Sequence, residues 1–486
     1  MTAVQDGRGA SGTGRARTGK KQQGEKAAVD PKAKTKADPK AGRKDRKRKE
    51  RTGRVAALRT GLTAWLGRPL ASFHLILAIC ALLVVLGLVM VLSASAVASL
   101  NQGASEYTVF GRQVAFVGAG LVLFWIGLRM PLRRIRAMSP VALWISVLML
   151  ILVLTPLGST VNGTRSWFTI GPVGFQPVEV AKLALALWGA HILVVKRGLL
   201  HQYRHLLVPV VPAALVMFAL VMLQPDLGGT VTLGVVLVAL LWFAGAQLRL
   251  FGALALGAVA GVVVLAVGTE YRLSRVLSFL NPSENLDGEA YQANQALYAL
   301  ADGGLFGKGL GQGPSKWQYL PNVHNDFIFA LIGEELGFLG CALVLGLFGM
   351  LAVVGMRVAT RNLDPWIRMV AATLTVWLVA QAAINICYVV GLLPVTGITL
   401  PLISSGGTSV VITMLVFGIL ANCARHEPEA VAALRSQGPG RFGRLMRLPA
   451  PEPYQPPAKR RPVRPPAPSR RQPLRQPARR SRGGRT

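Results

Sequence analysis

One stretch of the chain gathers most of its chemically capable residues. Between Tyr291 and Gly340 it reads YQANQALYALADGGLFGKGLGQGPSKWQYLPNVHNDFIFALIGEELGFLG. Gln292, Lys308, Lys316, His324 and Asp326 fall on its polar, glycine-rich part, and Glu334 and Glu335 follow within an apolar run. Carboxylates and lysines at the edge of an apolar segment are expensive to desolvate and mark functional sites. His324 or Asp326 can take a proton as a general base, and Lys308 and Lys316 can face an anion. Equally, a lone acid at a helix start is a common cap. On spacing alone His324 and Asp326 are tied for the base. Glu334 falls about 12 Å beyond Asp326 along a helix, too far to share one reacting atom. Glu334 and Glu335 are therefore expected as packing or network partners.

Other polar residues are expected on the same side. Gln176-Pro177-Val178-Glu179-Val180-Ala181-Lys182 opens an apolar run, and Glu179 and Lys182, three apart, share a helix face. Asp226 stands in Gln224-Pro225-Asp226-Leu227-Gly228 at the close of the next run, 206–223. Charges inside a membrane protein pair with one another to be tolerated, so a supporting ion network is favoured for these three over direct chemistry. Near the end, Ser404-Ser405-Gly406-Gly407-Thr408-Ser409 combines glycines with hydroxyls. Such a sequence exposes backbone N–H groups to an anion or makes a tight turn between close-packed helices. No Walker or dinucleotide fingerprint is present. No multi-ligand metal motif occurs either, so a divalent cation such as Mg or Mn would be bound partly by substrate.

The elements that must position these residues are membrane helices. The chain has 486 residues, 52% of them hydrophobic. Ten apolar segments stand out, at roughly 73–94, 110–128, 140–156, 177–195, 206–223, 229–247, 250–268, 327–355, 367–390 and 402–423. Segments 157–176 and 391–406 are apolar and glycine-rich but too short to span, and are expected as re-entrant or interfacial pieces. The expected fold is an all-α integral membrane protein of about ten transmembrane helices with one long outer loop, 269–326. The Lys/Arg asymmetry, eleven on one set of loops against six on the other, places both termini in the cytoplasm. Three regions follow: a basic tail over 1–71, a membrane core over 72–424 and a Pro/Arg-rich tail over 425–486. The tails carry +27 of the +33 net charge and are expected to be disordered, attracting anionic lipid. A nucleic-acid partner is disfavoured because no binding motif accompanies the charge. Cys80, Cys341, Cys387 and Cys423 lack metal or disulfide spacing and are expected in the core. No cleavable leader is expected, since the first apolar run begins near Phe73 and is long enough to anchor.

Four separated motifs, in order, resemble the SEDS family (shape, elongation, division and sporulation). They are NGTRSWFTIGPVGFQPVEVAK, QPDLGG, GGLFGKGLGQGPSKWQYLPNVHNDFIFALIGEELG and GLLPVTGITLPLISSGGTS. The last is more similar to the division branch than to the elongation branch. The resemblance implies a peptidoglycan glycosyltransferase that polymerises lipid II into β-1,4 glycan on the outer face. It implies a class B penicillin-binding protein and other division proteins as partners, and location at the septum. It also breaks the tie: the Asp of the HxDFIF motif, here Asp326, is implied as the catalytic carboxylate. Glu179, Lys182 and Asp226 match the supporting network, and Arg165, Lys308 and Lys316 are candidates for the departing diphosphate. His324, Gln176, Gln292, Ser404, Gly406 and Gly407 are expected to bind substrate or support the site. One base suffices, because a lipid diphosphate leaves as a stabilised anion while a sugar alkoxide needs a proton. Two other classes fit the composition: a flippase for the same lipid precursor, and a non-enzymatic division scaffold.

Overall fold

The computed structural model describes residues 68–101, 107–161, 163–171, 173–267, 289–314 and 325–455. Lys316, His324 and the basic tail up to residue 67 lie outside these. Three apolar helices come first: α1 (Ala71–Asn101), α2 (Thr108–Arg129) and α3 (Leu132–Leu152). Pro140 sits inside α3 and cannot donate to the carbonyl of Arg136. Ser139 Oγ donates to that carbonyl at 2.8 Å, so the helix continues.

Segment 157–176 departs from the re-entrant expectation. It forms a three-stranded antiparallel sheet of β1 (Ser159–Val161), β2 (Thr164–Ile170) and β3 (Val173–Phe175), with β2 central. Thr164, Trp167, Phe168, Thr169 and Ile170 are residue types that suit strands. Gly163 and Gly171 take φ of 77° and 59° at the two reversals.

The chain then enters α4 (Pro177–Val195), a short α5 (Tyr203–Leu207), α6 (Val210–Leu223), α7 (Leu227–Phe243) and α8 (Leu248–Val267). Asp226 caps α7, accepting from Gly229 N at 2.7 Å. Past the loop come α9 (Glu289–Asp302), α10 (Ile328–Arg361), α11 (Pro365–Val389) and α12 (Thr408–Arg425). The ten expected apolar segments each coincide with one of these helices. Among the described residues, seven helices are long and apolar enough to cross a membrane. The helices 210–223 and 227–243 are shorter apolar pieces. With its 14 residues α6 is about 21 Å long, less than a hydrocarbon core of about 30 Å. Large apolar side chains such as Leu82, Val122, Trp144 and Val353 remain exposed, which suits helices whose outer faces meet lipid.

Small residues let the helices approach. A Cβ on Gly418 of α12 would lie 2.3 Å from the Phe124 carbonyl oxygen of α2, and one on Gly355 of α10 would lie 2.1 Å from Thr375 Oγ1 of α11. Large side chains fill the core along α11, where Trp366, Trp377 and Tyr388 are fully buried.

Helix α10 is broken at Gly337, whose φ is 69° and ψ −165°. The glycine-rich loop after α9 seals the break. Lys308 N and Gly309 N donate to the carbonyls of Glu334 and Glu335, at 2.9 and 3.0 Å. Phe338 N donates back to the Gly304 carbonyl at 2.9 Å. A Cβ on Gly303 would fall 1.8 Å from the Gly333 carbonyl oxygen. Gly303 and Gly307 therefore serve backbone-to-backbone contact with α10.

The start of the region expected to be disordered from 425 is ordered. Helices α13 (Pro428–Ser436) and α14 (Arg441–Leu445) fold against the end of the bundle where α10 and α12 finish. Trp125 Nε1 donates to the Met446 carbonyl at 3.1 Å, and Arg425 donates to that of Pro449 at 2.7 Å. Arg361 pairs with Glu429 at 2.9 Å, and Leu448 is buried. Burial pushes the Glu427 carboxyl above its ordinary value, opposed by the nearby Arg357 and Arg361. Ala430, Val431 and Leu434 supply an apolar face at helical spacing, which the Pro/Arg-rich composition of the whole region conceals.

Candidate functional site

The sequence-selected residues meet at the end of the bundle where α4, α7, α10 and α12 begin. Gln176 precedes α4 in extended conformation. Its Nε2 donates to Asp226 Oδ2 at 3.0 Å, and its backbone N to Thr408 Oγ1 at 3.2 Å. Thr408 in turn donates to the Gly174 carbonyl at 2.9 Å, tying the sheet to α12. Asp226 thus spends both carboxylate oxygens on structure, one on Gln176 and one on the α7 cap.

One turn into α4, Lys182 Nζ lies 3.0 Å from both carboxylate oxygens of Glu179. Both side chains are buried. The lysine also donates to Gln381 Oε1 at 3.3 Å and stands 5.1 Å from the centre of the Trp377 ring. A buried ammonium is tolerated where a carboxylate, an amide oxygen and an aromatic face share its charge.

Asp326 is half-buried, just ahead of α10. Its backbone carbonyl accepts from Asn385 Nδ2 at 3.0 Å and from Tyr388 OH at 2.9 Å. The preceding Asn325 receives a hydrogen bond from Ser405. Gly397, at φ 68°, passes close to the carboxylate: a Cβ there would lie 3.8 Å from Asp326 Oδ2. The irregular 391–407 segment therefore wraps the acid. Its glycines and serines make turns. Ser404 Oγ accepts from Leu400 N at 2.9 Å, Gly406 N donates to the Ser404 carbonyl at 2.8 Å, and Gly407 precedes α12 at φ 48°.

Other candidates are anchored elsewhere. Lys308 pairs with Asp302 at 2.8 Å, and Arg165 Nε donates to the Gly158 carbonyl at 3.2 Å within the sheet region. Gln292 is half-buried on α9. Glu335, expected as a network partner, accepts from Ser93 of α1 through both oxygens, at 2.6 and 2.7 Å. Among the described residues, no three His, Cys, Asp or Glu side chains come together as a metal would need. Sequence reasoning missed Gln381, Asn385 and Tyr388. Their one signal was polarity recurring at 381, 385 and 388 within a long apolar run.

Arranged this way, the site offers the half-buried Asp326 carboxylate beside the glycine-containing 391–407 segment, with a buried ion pair on α4. It can accept a proton from a polar substrate at a membrane boundary. Comparison with known proteins points the same way. The family model described as a cell cycle protein of the FtsW, RodA and SpoVE type matches residues 73–429. A Mycobacterium tuberculosis protein named "Probable peptidoglycan glycosyltransferase FtsW" is 52% identical over 395 residues, covering 81% of this chain and 75% of the relative. Stage V sporulation protein E of Bacillus subtilis is 39% identical over 354 residues, covering 72% of this chain and 96% of the relative. Among solved structures, a chain from work described as "Structural coordination of polymerization and crosslinking by a peptidoglycan synthase complex" superposes with a TM-score of 0.60 at 28% identity. Thermus thermophilus rod shape determining protein RodA does so with a TM-score of 0.53 at 28% identity. Each match covers 75% of this chain and 99% of the other. With its membrane helices, its four motifs and a family match that runs through the whole bundle, the chain belongs to the FtsW/RodA/SpoVE family and is a glycosyltransferase.

Proposed function

We propose that this protein polymerises lipid II into β-1,4 glycan strands during cell division, with Asp326 as the general base. The observation that carries the reading is the placement of Asp326: a half-exposed carboxylate at a helix start, its backbone gripped by buried donors. Asp326 takes the proton of the acceptor 4-hydroxyl as its oxygen attacks the anomeric carbon of the donor. The new C–O bond forms as the bond to the lipid diphosphate breaks, and the configuration inverts from α to β. The diphosphate departs as a stabilised anion, so no general acid is required.

Positive charge near the leaving group favours that departure. Lys308, Lys316 and Arg165 are the candidates. The described residues assemble no carboxylate cage, so a divalent cation would take most of its oxygens from substrate, and no step here depends on one. His324 is assigned a positioning role. A class B penicillin-binding protein that cross-links the glycan is the expected partner. The Lys/Arg asymmetry favours cytoplasmic termini and an outward-facing site, and the resemblance to the division branch favours the septum.

The test is purified protein with its transpeptidase partner, given labelled lipid II and scored for glycan chains. Wild-type protein should make polymer and Asp326→Asn should not. Polymer from Asp326→Asn at the normal rate refutes the assignment. Transbilayer movement of lipid II without polymer by the wild-type protein favours a flippase instead.

A further inference from the structure

Residues Gln381, Asn385 and Tyr388 recur at spacings of four and three on α11, so they share one face of that helix. All three are buried, at 2%, 0% and 0% exposure, too deep to meet a substrate. Each turns toward backbone. Gln381 Nε2 donates to the Thr399 carbonyl at 3.1 Å. Asn385 Nδ2 donates to the carbonyls of Asp326 at 3.0 Å and Ile398 at 2.7 Å. Tyr388 OH lies 2.9 and 2.7 Å from the same two carbonyl oxygens.

Three hydrogens, two on the amide and one on the phenol, serve two carbonyl oxygens with two lone pairs each, and the amide nitrogen also lies within hydrogen-bond reach of the Tyr388 hydroxyl. Reversing the Asn385 amide would set its oxygen against both carbonyls, which fixes its orientation. The Phe327 ring packs edge-on to Tyr388 at 5.9 Å, so the residue after the acid is held as well. At the other end of the stripe, Gln381 Oε1 accepts from Lys182 at 3.3 Å and from Trp377 Nε1 at 2.9 Å.

We propose that this stripe is a positioning device: Asn385 and Tyr388 clamp the Asp326 backbone to the 396–400 segment, and Gln381 joins that segment to the Glu179–Lys182 pair. It rests on the reading of Asp326 as the base. The buried ion pair then acts through α11 on the location of the carboxylate, without touching the reacting atoms. Two irregular segments, 325–327 and 396–400, have carbonyls that no helix ladder satisfies, and the stripe supplies their donors. Position matters because a shift of about 1 Å in a reacting group costs up to about 100-fold in rate.

Tyr388→Phe is the cleanest probe, since it removes one hydroxyl and keeps the ring against Phe327. In the lipid II assay with the partner present, we expect kcat to fall about 10-fold while KM for lipid II stays within about threefold. Asn385→Ala should fall further, toward about 100-fold, again in kcat. Thermal unfolding in detergent, run on both, separates misfolding from misplacement. Tyr388→Phe should keep its midpoint within a few degrees. Glu335→Gln, which loosens the Ser93 contact outside the stripe, serves as a destabilised control with kcat close to normal. A raised KM with normal kcat would make the stripe a substrate contact and overturn the proposal. So would normal kinetics for both variants beside an inactive Asp326→Asn. An active Asp326→Asn would instead defeat the general-base reading itself.

Discussion

The two ends of the helix bundle are held by different physics. At the end carrying Asp326, irregular backbone runs between helix starts and is held by buried polar side chains: Asn385, Tyr388, Gln381 and Thr408 all bond to carbonyls. At the other end, α13 and α14 lie over the bundle mainly through apolar contacts such as Leu448 and the Arg361–Glu429 ion pair, with two side-chain bonds to carbonyls, Trp125 to Met446 and Arg425 to Pro449. Non-helical backbone at membrane depth survives only where protein supplies its hydrogen bonds. A site that must present a carboxylate needs such backbone; a covering segment does not. The first end should therefore be sensitive to single polar atoms, the second to lost apolar area.

The sharpest break in that comparison is Asp326→Asn, which keeps the shape and removes proton acceptance. Polymerisation should fall about 10²–10⁴-fold in the lipid II assay, with normal expression and partner binding. His324→Gln should be milder; a larger loss there than at Asp326 would exchange their roles. Next is Lys182→Ala, which strands Glu179 in a buried site. Breaking such a pair costs about 3–5 kcal/mol, so poor membrane yield and a lowered unfolding midpoint are expected. A stable but inactive Lys182→Ala would show instead that the lysine contacts substrate.

The opposite end is probed by truncation. A chain ending at Gln455 should unfold and polymerise like the full protein. One ending at Gly440 loses Phe442, Met446 and Leu448, and burying Leu448 alone is worth about 1.5–3 kcal/mol. Its midpoint should drop by several degrees while the residual kcat stays intact. A selective loss of kcat would show that the two ends are coupled.

Gly337→Ala tests the break in α10. The positive φ, and a Cβ 2.3 Å from Gly307 N, predict a loss of about 1–3 kcal/mol in thermal unfolding. Gly346→Ala in the same helix meets nothing within 4 Å and should be neutral or slightly stabilising. Smallest is Arg361→Ala, which removes a partly exposed ion pair worth less than about 1 kcal/mol. A double-mutant cycle with Glu429→Ala should give a coupling in that range.

The apolar helices are legible in the sequence, because a run of membrane-compatible residues needs no partner to declare itself. The sequence also determined the pairing of Glu179 with Lys182, since three residues along a helix is a local distance. Asp326 was singled out by its motif; its tie with His324 was beyond what spacing could break. The sheet at 159–175 had a local signal as well, in Asn162-Gly163 between strand-forming residues, but its glycines suited a re-entrant piece equally. Only the tertiary structure decided what the glycine-rich loop is for. Gly303 and Gly307 are explained by carbonyls of α10 that lie some thirty residues away. Likewise Asn385 and Tyr388 hold a carbonyl about sixty residues upstream, and a backbone carbonyl carries no residue identity that a sequence could show. The order of the C-terminal segment belongs to the same class: Leu448 is buried by helices from elsewhere in the chain, while the composition around it is that of a solvated tail.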